Sequence, residues 1–316
     1  MNPISDTPSL TLLREAVEGI DPRPILCLMG PTATGKTRLS LKWAQQLPIE
    51  IISVDSAMVY QGMDIGTGKP SKAEQATVPH HLLDVCAPNT PFSAAHFCTL
   101  ALKCIHDIQS RGKWPLLVGG TLLYFQALQQ GLSPLPEKND ALRAYLEQEA
   151  QKVGWSALHA RLAILDLKAS QSIKPTDTQR IQRALEVIYL TGKTLTEHFQ
   201  SPPIPPHNLT FYNIALTAED RSALHIAIEQ RFDAMCRQGL IEEVIALTHN
   251  VPLLTQLPAA RAVGYRQVLA YLAGDIDKLT LREKAISATR QLAKRQMTWL
   301  RSWPVHHTLD WKAVCS

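Results

Sequence analysis

At 316 residues, 45% apolar and 19% charged, the chain is long enough to bury a substantial core and too ordinary in composition for a fibre or a long disordered protein. No apolar run reaches the length of a membrane span, and Met1–Asp21 lacks the basic start and unbroken apolar stretch of a signal peptide, so a cytoplasmic protein with no membrane partner is expected. A net charge of +4 names no partner by itself, and the cysteines at 27, 86, 98, 104, 236 and 315 contain no C-x-x-C pair that points to a zinc or redox centre.

Taken in chain order, Ile25–Met29 is short, wholly apolar and followed by a Gly-rich turn, which predicts a buried parallel strand. A helix is expected over 36–46, closed by Pro48. Ile49–Val54 reads as a second buried strand ending at Asp55-Ser56. Trp114–Val118 reads as a third, ending in Gly119-Gly120-Thr121. Strands alternating with helices predict an α/β fold, a P-loop doubly wound parallel sheet. Ligands gather at the carboxyl ends of such strands, where Gly30, Asp55 and Thr121 stand. After Ser133-Pro-Leu-Pro136 the chain turns helical and rich in Leu, Ala and Gln to about His198, and Ser201-Pro-Pro-Ile-Pro-Pro206 closes that stretch. The expected organisation is a first core part over 1–133, an inserted helical lobe over 134–204 with hinges at its two proline breaks, and a second core part over 205–316. Leu209–Leu216 is expected to return to the sheet, with mostly helical structure after it. Between Leu281 and Arg301, six basic residues face one acid, Glu283. That surplus either holds phosphates or forms a solvated helix face; Arg290, Lys294 and Arg301 are spaced to share one stripe.

Gly30-Pro31-Thr32-Ala33-Thr34-Gly35-Lys36-Thr37 matches G-x-x-x-x-G-K-[ST], with a strand before it and a helix after. The glycines let several backbone N–H groups converge on one anion, and the helix adds its positive end. Lys36 supplies a full charge, and the Thr37 hydroxyl can bind Mg2+. This is the pattern of nucleotide-binding and ATP-binding proteins, yet it specifies only a diphosphate or triphosphate. No acidic pair accompanies the second strand end, and no arginine-rich lid marks a kinase.

Further ordered motifs narrow the reading. They are Val54-Asp-Ser-Ala57, Met63-Asp-Ile-Gly-Thr-Gly-Lys-Pro70, His80-His-Leu-Leu-Asp84, Val118-Gly-Gly-Thr121, Asp177-Thr-Gln-Arg-Ile-Gln-Arg-Ala-Leu-Glu-Val187, Arg261-Ala-Val-Gly-Tyr-Arg266 and Thr289-Arg-Gln-Leu-Ala-Lys-Arg-Gln296. Together with the phosphate loop they resemble the bacterial tRNA dimethylallyltransferase (tRNA isopentenyltransferase) family over nearly the whole chain. The resemblance implies a Mg2+-dependent prenyltransferase that moves a dimethylallyl group from dimethylallyl diphosphate to N6 of the adenosine at position 37 of tRNA. A monomer is expected, though the sequence does not give the oligomeric state. It implies catalytic roles for Lys36, Asp55, Thr121 and Arg231, with Asp55 as the base. Asp55-Ser-Ala is equally good helix-cap chemistry. The tRNA contacts it implies are Asp55, Ser56, Ala57, Met58, Thr121 and Arg143, then Gln179, Arg180, Ile181, Gln182 and Arg183, then Arg261, Ala262, Val263, Gly264, Tyr265 and Arg266. Arg180 and Arg183 are spaced to share a helix face, whereas Tyr265 either stacks a base or fills core. An adenylate isopentenyltransferase acting on free nucleotides and a P-loop small-molecule kinase are the competing readings. The helical insert and the basic helix favour tRNA over a free nucleotide. The chain lacks the cysteine pair of a C-terminal zinc finger found in eukaryotic relatives, which implies the bacterial type.

Overall fold

The structure is a computed structural model describing residues 8–17, 19–20, 22–200, 203–205 and 207–315. Residues 1–7, Glu18 and Asp21 of the N-terminal stretch, and Ser201, Pro202 and Pro206 of the second proline break, lie outside the described residues.

Six strands form one sheet: β1 (Ile25–Met29), β2 (Ile49–Val54), β3 (His80–His81), β4 (Trp114–Gly119), β5 (Phe211–Thr217) and β6 (His307–Asp310). Their order is β3-β2-β4-β1-β5-β6, and every pairing is parallel. β1 and β2 are buried at every position because helices cover both faces of the sheet. Alternate residues of β1 serve opposite cores. Ile25, Cys27 and Met29 pack with Phe97, Ile105 and Phe125 on one face. Leu26 and Leu28 pack with Leu13, Leu39 and Trp43 on the other. The register sets the site: Gly119 pairs with both Met29 and Val54. The carboxyl ends of β1, β2 and β4 therefore stop at one level, and Gly30, Asp55 and Gly120 leave the sheet side by side.

The structure differs from expectation in detail. The helix after the phosphate loop is Lys36–Ala44, shorter than 36–46, because the chain must turn through Gln45 and Gln46 before Pro48. β5 begins at Phe211 rather than Leu209. β3 and β6 escape a reading based on apolar runs: one has two residues, and the other, His-Thr-Leu-Asp, is an edge strand exposed at three of four positions.

By compactness the chain divides into two units, Met1–Gln129 with His207–Ser316, and Gln130–Pro206. In the first, a further apolar cluster joins Val59, Tyr60 and Met63 to helices Arg221–Arg237, Leu240–Asn250, Tyr265–Leu272 and Lys278–Ser302. In the second, helices Asp140–Val153, Trp155–Leu165, Leu167–Ser172 and Thr178–Thr191 close around Leu146, Leu158, Leu162, Ile181 and Leu185.

Helix Thr178–Thr191 begins at Asp177, whose Oδ1 accepts from the Arg180 amide at 3.3 Å. Its two arginines do different things. Arg180 is exposed beside Asp177, whereas Arg183 turns inward to Glu186 at 2.6 Å and to the Pro136 carbonyl at 2.7 Å. Arg143 meets the same glutamate with two bonds of 2.8 and 3.0 Å. Glu186 is fully buried and also accepts the Asn139 amide at 2.8 Å. Arg143 and Arg183 are thus neutralising partners of a buried carboxylate. Ile181, expected among the tRNA contacts, is fully buried in this unit's core; an apolar side chain in that setting packs rather than touching nucleic acid.

Burial pushes the Glu186 carboxyl up, but Arg143, the Asn139 amide and Arg183 outweigh it and hold its pKa at about 2, below the ordinary 4.5. Because folding depresses this value, the stabilisation is complete above about pH 4.5 and is lost as pH falls through about 2. Glu186→Gln is expected to lower stability by about 1–3 kcal/mol at pH 7, with the gap to wild type closing toward pH 2. Urea unfolding followed across that range by helical circular dichroism measures it; a gap independent of pH would remove the buried charge as its cause.

Candidate functional site

The three strand ends open into one cavity of about 900 Å3, lined wholly by the first unit. The phosphate loop forms one wall. Its curl puts Ala33 at φ 67° and Gly35 at φ 74°, left-handed values that turn successive amides inward before helix Lys36–Ala44 begins. Thr34 is fully buried and donates to the Pro31 carbonyl at 2.8 Å. Lys36 Nζ lies across the loop, 2.9 Å from the Gly30 carbonyl and 2.7 Å from that of Pro31. Thr37 also lines the cavity.

The second wall comes from β2 and β4. Asp55 Oδ1 accepts the amides of Ala57 at 2.8 Å and Met58 at 3.2 Å. No helix follows Asp55, so it caps none; its Oδ1 instead closes the 55–58 turn, which fixes a side chain that lines the cavity. The Thr121 hydroxyl accepts from the Ser56 amide at 3.1 Å, and the Thr121 amide donates to the Val54 carbonyl at 3.2 Å. Asp55 and Thr121, distant in sequence, thus share one hydrogen-bonded turn.

The third wall is the Met63–Pro70 loop with helix Arg221–Arg237. Arg231 donates to the Thr67 carbonyl at 3.3 Å. A β-carbon at Gly68 would stand 1.9 Å from the Arg231 guanidinium, and Gly68 has φ 64°, so only glycine admits this approach. Burial holds Arg231 below the usual arginine range, while the Asp55 charge pulls the other way. Such a guanidinium is primed to accept an anion, because a ligand's charge offsets what desolvation removes.

Two charged groups that sequence reasoning did not single out hold this loop. Glu243 accepts the amides of Asp64, Ile65 and Gly66 at 3.0, 2.7 and 3.1 Å, and the Tyr265 hydroxyl at 2.5 Å. Lys69, its side chain 2% exposed, binds Asp64 at 2.5 Å, Asp84 at 2.6 Å and the Tyr60 carbonyl at 2.9 Å. In sequence Glu243 looks like any acid in a first helical turn; only its place beside three amides of a distant loop reveals the role. Tyr265 is 1% exposed, and burial together with its bond to Glu243 raises its hydroxyl well above the usual tyrosine range. It fills core and does not stack a base, contrary to its place among the expected tRNA contacts. Its neighbours Arg261, Ala262, Val263 and Gly264 do line the cavity, and Arg266 is exposed.

Apolar side chains complete the lining, among them Met58, Phe92, Leu122, Ile228, Phe232 and Trp299. The basic stretch lies on helix Lys278–Ser302, but part of it is spent internally: Arg290 pairs with Glu229, and Arg282 with Asp233 at 2.7 Å. Lys294, Arg295 and Arg301 remain exposed, and Arg295 lines the cavity. No helix among the described residues is long and apolar enough to cross a membrane.

Residues 58–303 match the family model for IPP transferase. A tRNA dimethylallyltransferase of Thiobacillus denitrificans is 54% identical over 288 residues, covering 91% of each chain. One from Legionella pneumophila (strain Paris) is 54% identical over 279 residues, 88% of this chain and 89% of that one. Among solved structures, the full-length tRNA isopentenylpyrophosphate transferase of Bacillus halodurans is similar with a TM-score of 0.66 and 37% identity, covering 91% of this chain and 90% of that one. A eukaryotic dimethylallyltransferase captured acting on tRNA is similar with a TM-score of 0.71 and 27% identity, over 87% of this chain and 69% of that one.

Glu243→Ala strips partners from three amides and a buried hydroxyl at once. It is expected to lower stability by about 2–4 kcal/mol and to speed amide exchange at 64–66 in particular. Denaturant unfolding and hydrogen exchange measure these; protection unchanged at those amides would show that the loop does not depend on this carboxylate.

Proposed function

The chain belongs to the IPP transferase family, and on that premise we propose that it transfers a dimethylallyl group from dimethylallyl diphosphate to N6 of the adenosine 3′ of the anticodon, position 37 of tRNA, giving N6-isopentenyladenosine. The observation that carries the reading is one cavity holding a phosphate cradle, a desolvated arginine and a fixed carboxylate among apolar walls.

Each wall has a task in that reaction. The allylic carbon–oxygen bond breaks and its electron pair leaves with the diphosphate, so positive charge grows on the allyl carbon and negative charge on the leaving oxygens. Donors already aimed at the second charge favour the transition state over bound substrate. Loop amides 33–37, Lys36 and Arg231 are those donors. The apolar lining holds the five-carbon tail and keeps water from the developing cation. The exocyclic amine of adenine is a weak nucleophile, its lone pair delocalised into the ring. As the new nitrogen–carbon bond forms it gives up a proton, which Asp55 accepts through Oδ2, with Oδ1 held by two amides. Thr121 keeps the Asp55-Ser56 turn in place and faces the acceptor.

The donor set also fits Mg2+. Among the described residues no three His, Cys, Asp or Glu side chains gather as a metal cage. Mg2+ bound with substrate phosphates needs few protein oxygens beyond water, and the Thr37 hydroxyl in the first helical turn is one. When bound, the ion neutralises charge on the departing diphosphate.

An adenine stacked in an anticodon loop must be extruded to reach a cavity of this kind. Ser56, Ala57, Met58, Arg261 to Gly264 and Arg266 are the loop contacts we assign in the first unit. Gln179, Arg180 and Gln182 are those in the second, where Arg143 and Arg183 act through Glu186. Work on tRNA implies a cytoplasmic location, and action as a monomer is part of the same reading.

The test supplies labelled dimethylallyl diphosphate and Mg2+ with unmodified tRNA, AMP or ATP as acceptor. Label is expected in tRNA alone and should vanish with EDTA. Asp55→Asn is expected to lower kcat roughly 10²- to 10⁴-fold with KM for the diphosphate little changed, whereas Lys36→Ala should raise that KM as well. Label in free nucleotides would move the acceptor to adenylate; ATP hydrolysis without any transfer would overturn prenyl transfer.

A further inference from the structure

Gln296, on helix Lys278–Ser302, is the one described side chain that bonds both the phosphate loop and the turn after β4. Its Oε1 accepts from the Thr32 amide at 2.9 Å, and its Nε2 donates to the Gly120 carbonyl at 2.9 Å. Thr32 lies three residues beyond the end of β1 and Gly120 one beyond the end of β4, so the sheet ladder no longer ties these segments. A primary amide carries an acceptor and a donor on opposite branches; both bonds form only while the two loops keep one separation. The fit is close on the other side too. A β-carbon at position 120 would lie 2.3 Å from Nε2 and 3.2 Å from the Gly30 carbonyl. Gly120 therefore leaves room for the Gln296 amide as well as for the chain's turn.

We propose that Gln296 is a positioning residue that sets the distance between the loop holding the leaving group and the Gly120-Thr121 turn on the acceptor side. This rests on the prenyl-transfer reading, in which those two segments carry opposite ends of the reaction. An in-line displacement is sensitive to that distance, and a misplacement of about 1 Å can slow chemistry on the order of 10²-fold. Gln296 also takes the Thr32 N–H out of the anion-binding set, which leaves the later loop amides to receive the diphosphate.

The variants Gln296→Leu, Gln296→Glu and Gly120→Ala separate positioning from simple stability. Gln296→Leu is expected to lower kcat roughly 10- to 100-fold, with KM for tRNA within about two-fold and Tm near wild type. Gln296→Glu keeps an acceptor for Thr32 but turns a second oxygen on the Gly120 carbonyl. Protonation makes that oxygen a donor, so its kcat relative to wild type should climb as pH falls, while the leucine variant stays low throughout. Gly120→Ala should slow the wild type but add little to Gln296→Leu, because both break the same contact. Amide exchange at Thr32 should quicken at least about ten-fold in the leucine variant, a readout that needs no turnover. A leucine variant with wild-type kcat, or a glutamate variant whose ratio is flat with pH, would overturn the proposal. Wild-type protein that prenylates no tRNA would instead sink the reaction it rests on, and Thr32 exchange would still decide whether the clamp exists. Should the leucine variant not fold, the glutamate ratio and Gly120→Ala decide alone.

Discussion

On the proposed prenyl transfer, the cavity must hold a diphosphate, a concentrated anion, beside walls apolar enough to shelter an allyl cation, and an apolar wall is a poor place for such an anion. That conflict organises the first unit. Its solution is to bring charge and dipoles to one wall and keep them stiff. Backbone amides curl at Ala33 and Gly35, the helix end begins at Lys36, and Arg231 approaches across Gly68. Each group is itself difficult to place. The loop needs left-handed backbone at an alanine, and the guanidinium gives up water for a single weak bond to a carbonyl.

The supporting layer exists because those groups cannot hold themselves. Glu243 gathers three amides of the loop against which Arg231 lies, Lys69 locks the same loop through two aspartates, and Gln296 ties the phosphate loop to the turn at Thr121. Polar groups packed in this way contribute most when every partner is met. Here they are met mostly by backbone, which cannot change by substitution. The outcome is a rigid constellation supplied by segments spread from Gly30 to Gln296.

The second unit shows the same economy at a place without evident chemistry. Glu186 is an acid with no access to water, stabilised by Arg143, Arg183 and the Asn139 amide. Two arginines that read as nucleic-acid contacts are spent on fold integrity, leaving Arg180 as the exposed cation of that helix segment. A sequence pattern reports residue type and spacing; it does not report whether a cation's partner is internal.

From the sequence alone came what depends on local backbone chemistry and on order along the chain: β1, β2 and β4 as apolar runs, the phosphate loop, the strand-end positions of Asp55 and Thr121, and the family through its ordered motifs. The short polar strands β3 and β6 were invisible because they lack the apolar run that marks a buried strand. Only the tertiary structure decided which groups face the cavity and which face the core, since that depends on partners far apart in the chain. It put Tyr265 and Ile181 inside, gave Asp55 its two amide donors and a place on the cavity wall, and brought Gln296 between two loops that the sheet alone does not join. A side chain's chemistry belongs to its residue type, but its direction and its partners are fixed by packing, and packing is settled by contacts that no stretch of sequence contains by itself.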